Sequence, residues 1–486
     1  MGIVSKQAMN NTVVTYVGFG IAAINTLFLY TNFLTDAYYG LVTVILSTSA
    51  VLMPLLAFGV PNTLVKYYSS FKSERDTAAF ETLMLFLPLV LIIPIAIFSF
   101  FYTDVIGEFI SKENSIVKNY VWYIFLIGMA MAYFEVFYAW AKVQMKSVFG
   151  NFMKEVFNRV GVMLLLFLVH FDIISVDLFL KALVALYLLR TIIMKLYAYR
   201  LKMPRINFDF PANTRVILYY SALIILGGSA AVIILEIDKV MLNQYIEIEN
   251  VAYYGVAIYI ATTIIVPSRA MHQITYPMTA ELLNNRDHEG LDSLYKKSSL
   301  TLFIASGILF VLIITNLNDL FLMLPEEYRG GFSIVFLIGL AKVYDSVLGN
   351  NNAILFNSDY YKALLMMGVI LAVMVILLNM LLIPLQGLQG AALATFLAIT
   401  IYNTIKLYYV RKKFDIMPFT RETLKVFGIL LVLGVLFYVV DFPFHPMVNI
   451  VIKGVLTTLL FLGILFKLKI SEDVYGMLNR FLGKKG

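Results

Sequence analysis

AYYGLVTVILSTSAVLMPLLAFGVP at residues 37–61 and AYYGVAIYIATTIIVPSRAMHQITYP at residues 252–277 open on the same four letters and end on a proline. Each is long enough to cross a bilayer, because about 20 mostly apolar residues span a hydrocarbon layer of about 30 Å. Pro61 and Pro277 follow Gly40 and Gly255 at almost the same distance, close to the inner end of each span. Chance is one account of a four-letter match in a chain with 31 tyrosines. The shared register, proline and membrane side favour a duplicated unit instead.

Outward from these two runs, apolar stretches separated by polar breaks continue to both ends of the 486-residue chain. They predict about fourteen transmembrane helices, at 10–34, 38–62, 79–102, 119–141, 149–170, 175–197, 214–238, 250–272, 298–316, 331–352, 361–384, 387–408, 422–441 and 447–468. Composition agrees, with 61% hydrophobic and 14% charged residues, against about a half and a quarter in soluble chains. The expected fold class is therefore an all-α integral membrane protein. Cysteine is absent, which excludes disulfides, thiolate metal sites and thiol nucleophiles. His170, His272, His288 and His445 are scattered and form no zinc-ligand spacing. The net charge of +7 reads as a topology signal and not as a nucleic-acid surface. Only Lys6 precedes the first apolar span and no cleavage-site pattern ends it, so that helix is expected to be retained.

With the N-terminus inside, Lys112, Lys118, Lys181, Lys239, Arg329 and Lys453 are the outer exceptions among 37 Lys and Arg residues. Basic residues resist translocation, so this asymmetry predicts an even helix number and two cytoplasmic termini. The richest inner segments, Arg190 to Arg215 and Lys406 to Lys425, divide the chain into a six-helix lobe at 1–205, a second at 206–412, and a peripheral helix pair with a tail at 413–486. The two AYYG copies are separated by an even number of crossings. The lobes are then parallel repeats about an axis along the membrane normal.

The longest loops run from Thr103 to Lys118, Asn284 to Lys297 and Asn316 to Gly330. None can form the extramembrane domain in which membrane glycan polymerases and glycosyltransferases hold their catalytic groups. A phosphate-cradling G-x-x-x-x-G-K-[ST] loop is also missing, so the chain has no nucleotide-hydrolysis engine. These absences predict a protein that is not an enzyme.

Charge at membrane depth is costly, about 2.5–3.5 kcal/mol or more at the centre, and marks candidate functional positions. Lys342 and Asp345, three apart on the tenth helix, share a face and form either a self-neutralised pair or part of a transport route. Glu135 and Arg269 lie in the inner halves of the fourth and eighth helices. The guanidinium of Arg269 suits phosphate, though an arginine near a helix end also snorkels to the interface. Asn25 and Asn32, seven apart on the first helix, are expected on nearly one face, available to sugar hydroxyls or to a neighbouring helix. Glu236, Asp238 and Lys239 cluster at the outer end of the seventh helix, where charge is inexpensive.

Four stretches resemble one family. They are Tyr39-Gly40, Glu236-Ile237-Asp238-Lys239 followed by Met241-Leu242, Tyr254-Gly255 with Pro267, and LLIPLQGLQGAALATFLA at 381–398. They are similar to the polysaccharide-export branch, the Wzx-type O-antigen and capsule flippases, of the multidrug/oligosaccharidyl-lipid/polysaccharide (MOP) flippase superfamily. The resemblance implies two six-helix lobes in a V that opens alternately to either face. It implies translocation of an undecaprenyl-pyrophosphate-linked oligosaccharide to the outer leaflet of the bacterial inner membrane, for lipopolysaccharide or capsule. No cofactor is implied beyond a proton or sodium gradient, for which Glu135 or Asp345 are candidate carboxylates. A glycan polymerase of the assembly pathway is an expected partner. Arg269, Lys342, Asp345, Glu135, Asn25 and Asn32 are the expected cavity residues. Two alternatives stay open: a multidrug exporter of the same fold, which usually stops at twelve helices, and a membrane glycan polymerase.

Overall fold

The computed structural model describes residues 3–110 and 112–471, and every regular element among them is helical. Each of the fourteen expected spans falls on predominantly helical chain. Among the described residues, nine helical stretches are both long and apolar enough to cross a membrane. The chain forms two compact units, Met1–Gly255 with Asn379–Gly387, and Val256–Leu378 with Leu388–Gly486.

The first unit begins with α1 (Ile3–Ile24), a π-helical segment (Asn25–Leu29) and α2 (Tyr30–Phe33). It continues through α3 (Asp36–Leu56), α4 (Val60–Tyr67), α5 (Glu74–Phe86), α6 (Leu89–Phe101), α7 (Thr103–Ile110) and α8 (Val121–Val143). The fifth expected span is α9 (Val148–Phe152), a second π segment (Met153–Phe157) and α10 (Asn158–His170), followed by α11 (Val176–Leu201) and α12 (Thr214–Tyr245). Then come α13 (Ile248–Thr262), which leads into the second unit, and α14 (Val266–Asn284), α15 (His288–Leu322), α16 (Phe332–Val347) and α17 (Asn351–Phe356). Last are α18 (Tyr361–Phe414), α19 (Arg421–Val439) and α20 (Pro446–Leu468).

Helix starts follow the local chemistry. Thr35, Ser175 and Asp287 accept from the backbone N–H of Tyr38, Leu178 and Gly290, and Thr420 and Thr423 cap each other reciprocally. The spans expected at 361–384 and 387–408 are joined in α18, which is broken at Gly387 (φ 56°, ψ −128°). Only glycine adopts that conformation readily. No neighbouring atom limits the space beside it, so the backbone angle alone requires glycine.

In the first unit, Phe80, Met84, Phe134, Trp140 and Met194 share one buried cluster; in the second, Ile264, Phe303, Val426, Leu430 and Phe461 share another. Outward-facing side chains are also apolar: Phe109, Val439 and Leu424 are more than two-thirds exposed. Such a surface is stable where lipid is the solvent.

The two AYYG stretches pack against each other within the first unit. A Cβ at Gly40 would collide with the carbonyl of Ile248, and Gly255 faces Thr43. The Tyr253 hydroxyl donates to Asp36 Oδ2 at 2.9 Å. Tyr39 donates to the Thr26 carbonyl at 3.2 Å and Tyr254 to Asp238 Oδ2 at 2.7 Å, so the third residue of each copy reaches back to the preceding span.

In the second unit, α19 and α20 pack on α15. Lys453 Nζ of α20 lies 3.0 Å from Asp319 Oδ2 of α15, with both side chains 6% exposed, and 2.9 Å from Asp441 Oδ1. Asn449 Nδ2 adds a bond to Asp319 Oδ1 at 3.1 Å.

A candidate anion site

A basic cluster forms where α8, the Met153–Phe157 π segment, α10 and α11 meet in the first unit. Lys154 Nζ donates to Glu135 Oε1 at 2.6 Å; the lysine side chain is 45% exposed and the glutamate 17%. One residue on, Glu155 pairs with Arg159 at 2.9 Å. Lys142, seven residues beyond Glu135 on α8, lies over the Tyr138 ring at 3.8 Å. The guanidinium of Arg190 is buried between the faces of Phe134 (4.2 Å) and Tyr187 (4.8 Å). Among the described residues Arg190 has no carboxylate at ion-pair distance, and its Nε and the Nη1 of Arg159 have no hydrogen-bond partner. Four cations therefore face two carboxylates, Glu135 and Glu155.

Two π segments shape this region. Asn25 opens the first, is buried, and donates through Nδ2 to the Arg159 carbonyl at 2.8 Å. Lys154 and Glu155 lie on the second. A π turn inserts residues into a helix and re-aims its side chains, and such turns recur at functional sites. Asn32 is exposed and bonds its own turn at the Phe28 carbonyl, 2.7 Å away. The intervening π segment takes Asn25 and Asn32 off the common face that a regular helix would give them.

The expected residues thus divide between the units. Glu135 and Asn25 join the basic cluster of the first. In the second, Arg269 is exposed on α14 and has no hydrogen-bond or ion-pair partner among the described residues. Lys342 is buried on α16. Asp345 Oδ1 lies 3.8 Å from Lys406 Nζ, a pairing that the spacing does not select. Lys406 is 1% exposed, donates to Asn352 Oδ1 at 2.8 Å and sits over Tyr402 at 4.3 Å. Its neighbour Asn403 is buried with neither amide atom bonded.

Arg190 and Lys406, counted above as the first residues of basic inner segments, are therefore interior groups. Lys154 and Arg159 carry no sequence signal beyond being charged within a span. Asp238, expected at an inexpensive outer position, is buried and accepts from Tyr254 and from Asn379 Nδ2 (2.7 Å), tying α12 to α13 and α18. Glu236 Oε2 accepts from Ser47 and Lys239.

The first unit of this all-helical, multi-pass membrane protein thus holds a basic cluster built around one buried arginine, Arg190. The chain belongs to the family of polysaccharide biosynthesis proteins, whose model matches residues 4–283. A search of curated proteins finds no match. The fold is that of MOP superfamily transporters. A structure of the lipid II flippase MurJ in an inward closed conformation superposes with a TM-score of 0.71 at 13% identity, covering 95% of this chain and 99% of that one. An inward-facing multidrug resistance MATE family transporter gives 0.62 at 15% identity, covering 83% and 94%. A MOP superfamily transporter from Pyrococcus furiosus, described as having a binding pocket of reverse polarity, gives 0.58 at 14% identity, covering 85% and 96%.

Proposed function

We propose that this protein is a flippase that moves undecaprenyl-pyrophosphate-linked oligosaccharide from the inner to the outer leaflet of the bacterial cytoplasmic membrane, for surface polysaccharide assembly. The observation that carries the proposal is the excess of cations over carboxylates around Arg190 and Lys154, on helices that the sequence expects to cross the membrane. A pyrophosphate leaving water must exchange its hydration for charge-assisted hydrogen bonds, which arginine supplies bidentately. Arg190 is held by two aromatic faces with donor capacity left over, a preorganised receptor for such an anion. An apolar groove of about 600 Å³ among α15, α16 and α19, lined by Phe303, Phe336 and Leu430, fits the chemistry of a prenyl chain. Membership of the polysaccharide biosynthesis family favours this cargo over the drugs exported by MATE relatives.

On this reading, lobes at 1–205 and 206–412 alternate access with both termini cytoplasmic, a proton or sodium gradient supplies the drive, and a glycan polymerase receives the product. Arg269, Lys342 and Asp345 serve as secondary polar contacts. The test is outward delivery of lipid-linked oligosaccharide, scored as surface glycan and as inner-leaflet accumulation at matched protein levels. Arg190→Gln is expected to lower delivery about tenfold or more, Arg190→Lys less, and Arg269→Gln least. Wild-type delivery by a stable Arg190→Gln protein would remove the basic cluster from the reading. Failure of the purified wild-type protein to flip this lipid in vesicles would end it.

A further inference from the structure

We propose that Glu135 is a stand-in for the cargo's phosphate: it holds Lys154 while the site is empty and gives it up when a pyrophosphate binds. The inference rests on the anion-site reading above and adds a mechanism for release. The Lys154 side chain is 45% exposed, yet it is already committed to Glu135 at 2.6 Å. A short charge-assisted bond to an ammonium that open space can reach is one that an incoming phosphate oxygen can contest.

The displaced carboxylate keeps favourable company. On its own helix Glu135 faces Lys142 and Tyr138, from α11 it faces Arg190, and from the π segment come Lys154 itself and Glu155. Lys142 and Arg190 remain as basic neighbours of Glu135 when Lys154 turns away. No covalent step is involved. Lysine exchanges one anionic partner for another and returns to the first when the cargo leaves.

The arrangement lowers affinity and raises turnover. An ammonium left unpaired would bind pyrophosphate more tightly, then hold it on the delivery side and stay uncompensated as the empty protein resets. A glutamate whose only task is to fix Lys154 makes the opposite prediction, because its loss would scatter the lysine and weaken anion binding.

The probe is UDP-N-acetylglucosamine, a soluble disubstituted pyrophosphate carrying a sugar, titrated against the full chain in nanodiscs. Glu135→Gln is expected to bind it about tenfold more tightly than wild type and to deliver lipid-linked oligosaccharide more slowly. In a Lys154→Met background the same substitution should change affinity little, since the contest has been removed. Thermal melts establish that each variant is folded, and Glu135→Asp, which keeps the charge, should return affinity toward wild type. Unchanged or weaker binding by folded Glu135→Gln would overturn the exchange while leaving the anion site standing, provided that Lys154→Met and Arg190→Gln still weaken the probe. Binding that neither of those two variants weakens would overturn the site and the exchange together.

Discussion

Replacing Lys453 with methionine isolates the contribution of the buried ion pair between α20 and α15. The substitution leaves the Asp319 carboxylate, 6% exposed, with Asn449 Nδ2 at 3.1 Å as a remaining donor. Stranding one member of a buried pair costs about 3–5 kcal/mol. Asn449 offsets part of that, and the lost arm to Asp441, whose side chain is 76% exposed, adds less than about 1 kcal/mol. The net expectation is a loss of about 3 kcal/mol, or roughly two decades in the unfolding equilibrium. Converting both partners, Lys453→Met with Asp319→Leu, removes the stranded charge, and Asn449 keeps its bond to the Phe442 carbonyl at 2.9 Å. The double variant should return to within about 1 kcal/mol of wild type. Purified protein in one detergent, followed by thermal melting and denaturant titration, gives the ordering. A Lys453→Met protein as stable as wild type, or a double variant no better than the single, would refute this account of the clamp.

Gly387→Ala should lower stability by about 1–3 kcal/mol in the same titration, since the site has room for a methyl but a backbone that only glycine tolerates. An unchanged midpoint would mean that the break in α18 relaxes freely. Reporter fusions at Lys72, Lys202, Arg286 and Lys412 should read inside, and those at Asn114, Glu247 and Glu326 outside, because loop basicity sets orientation. A contrary signal at any of these loops would break the expected alternation.

The helical spans were legible because lipid-crossing segments must be long and apolar, a constraint visible without any knowledge of packing. Even the joint at Gly387 left a mark, as a break between 384 and 387 in LLIPLQGLQG. The site was legible only in part. Glu135 and Asn25 stood out as polar groups within spans, whereas Arg190 and Lys406 were counted with the basic segments that follow them, where a snorkelling cation and an enclosed one look alike in sequence. The partner of Asp345 sits on α18, far along the chain, and residue spacing reports neighbours only within one helix. The two π segments have no signature in residue type, so the facing of Asn32, Lys154 and Glu155 could not be read from a regular helical wheel.

The meeting of the two AYYG stretches bears on how this chain can drift. With Gly40 against the Ile248 carbonyl, Gly255 against Thr43 and Tyr253 on Asp36, a bulkier residue in one stretch intrudes on the other. At this seam each stretch is part of the other's environment. A side chain enlarged in one stretch therefore needs room made for it in the other.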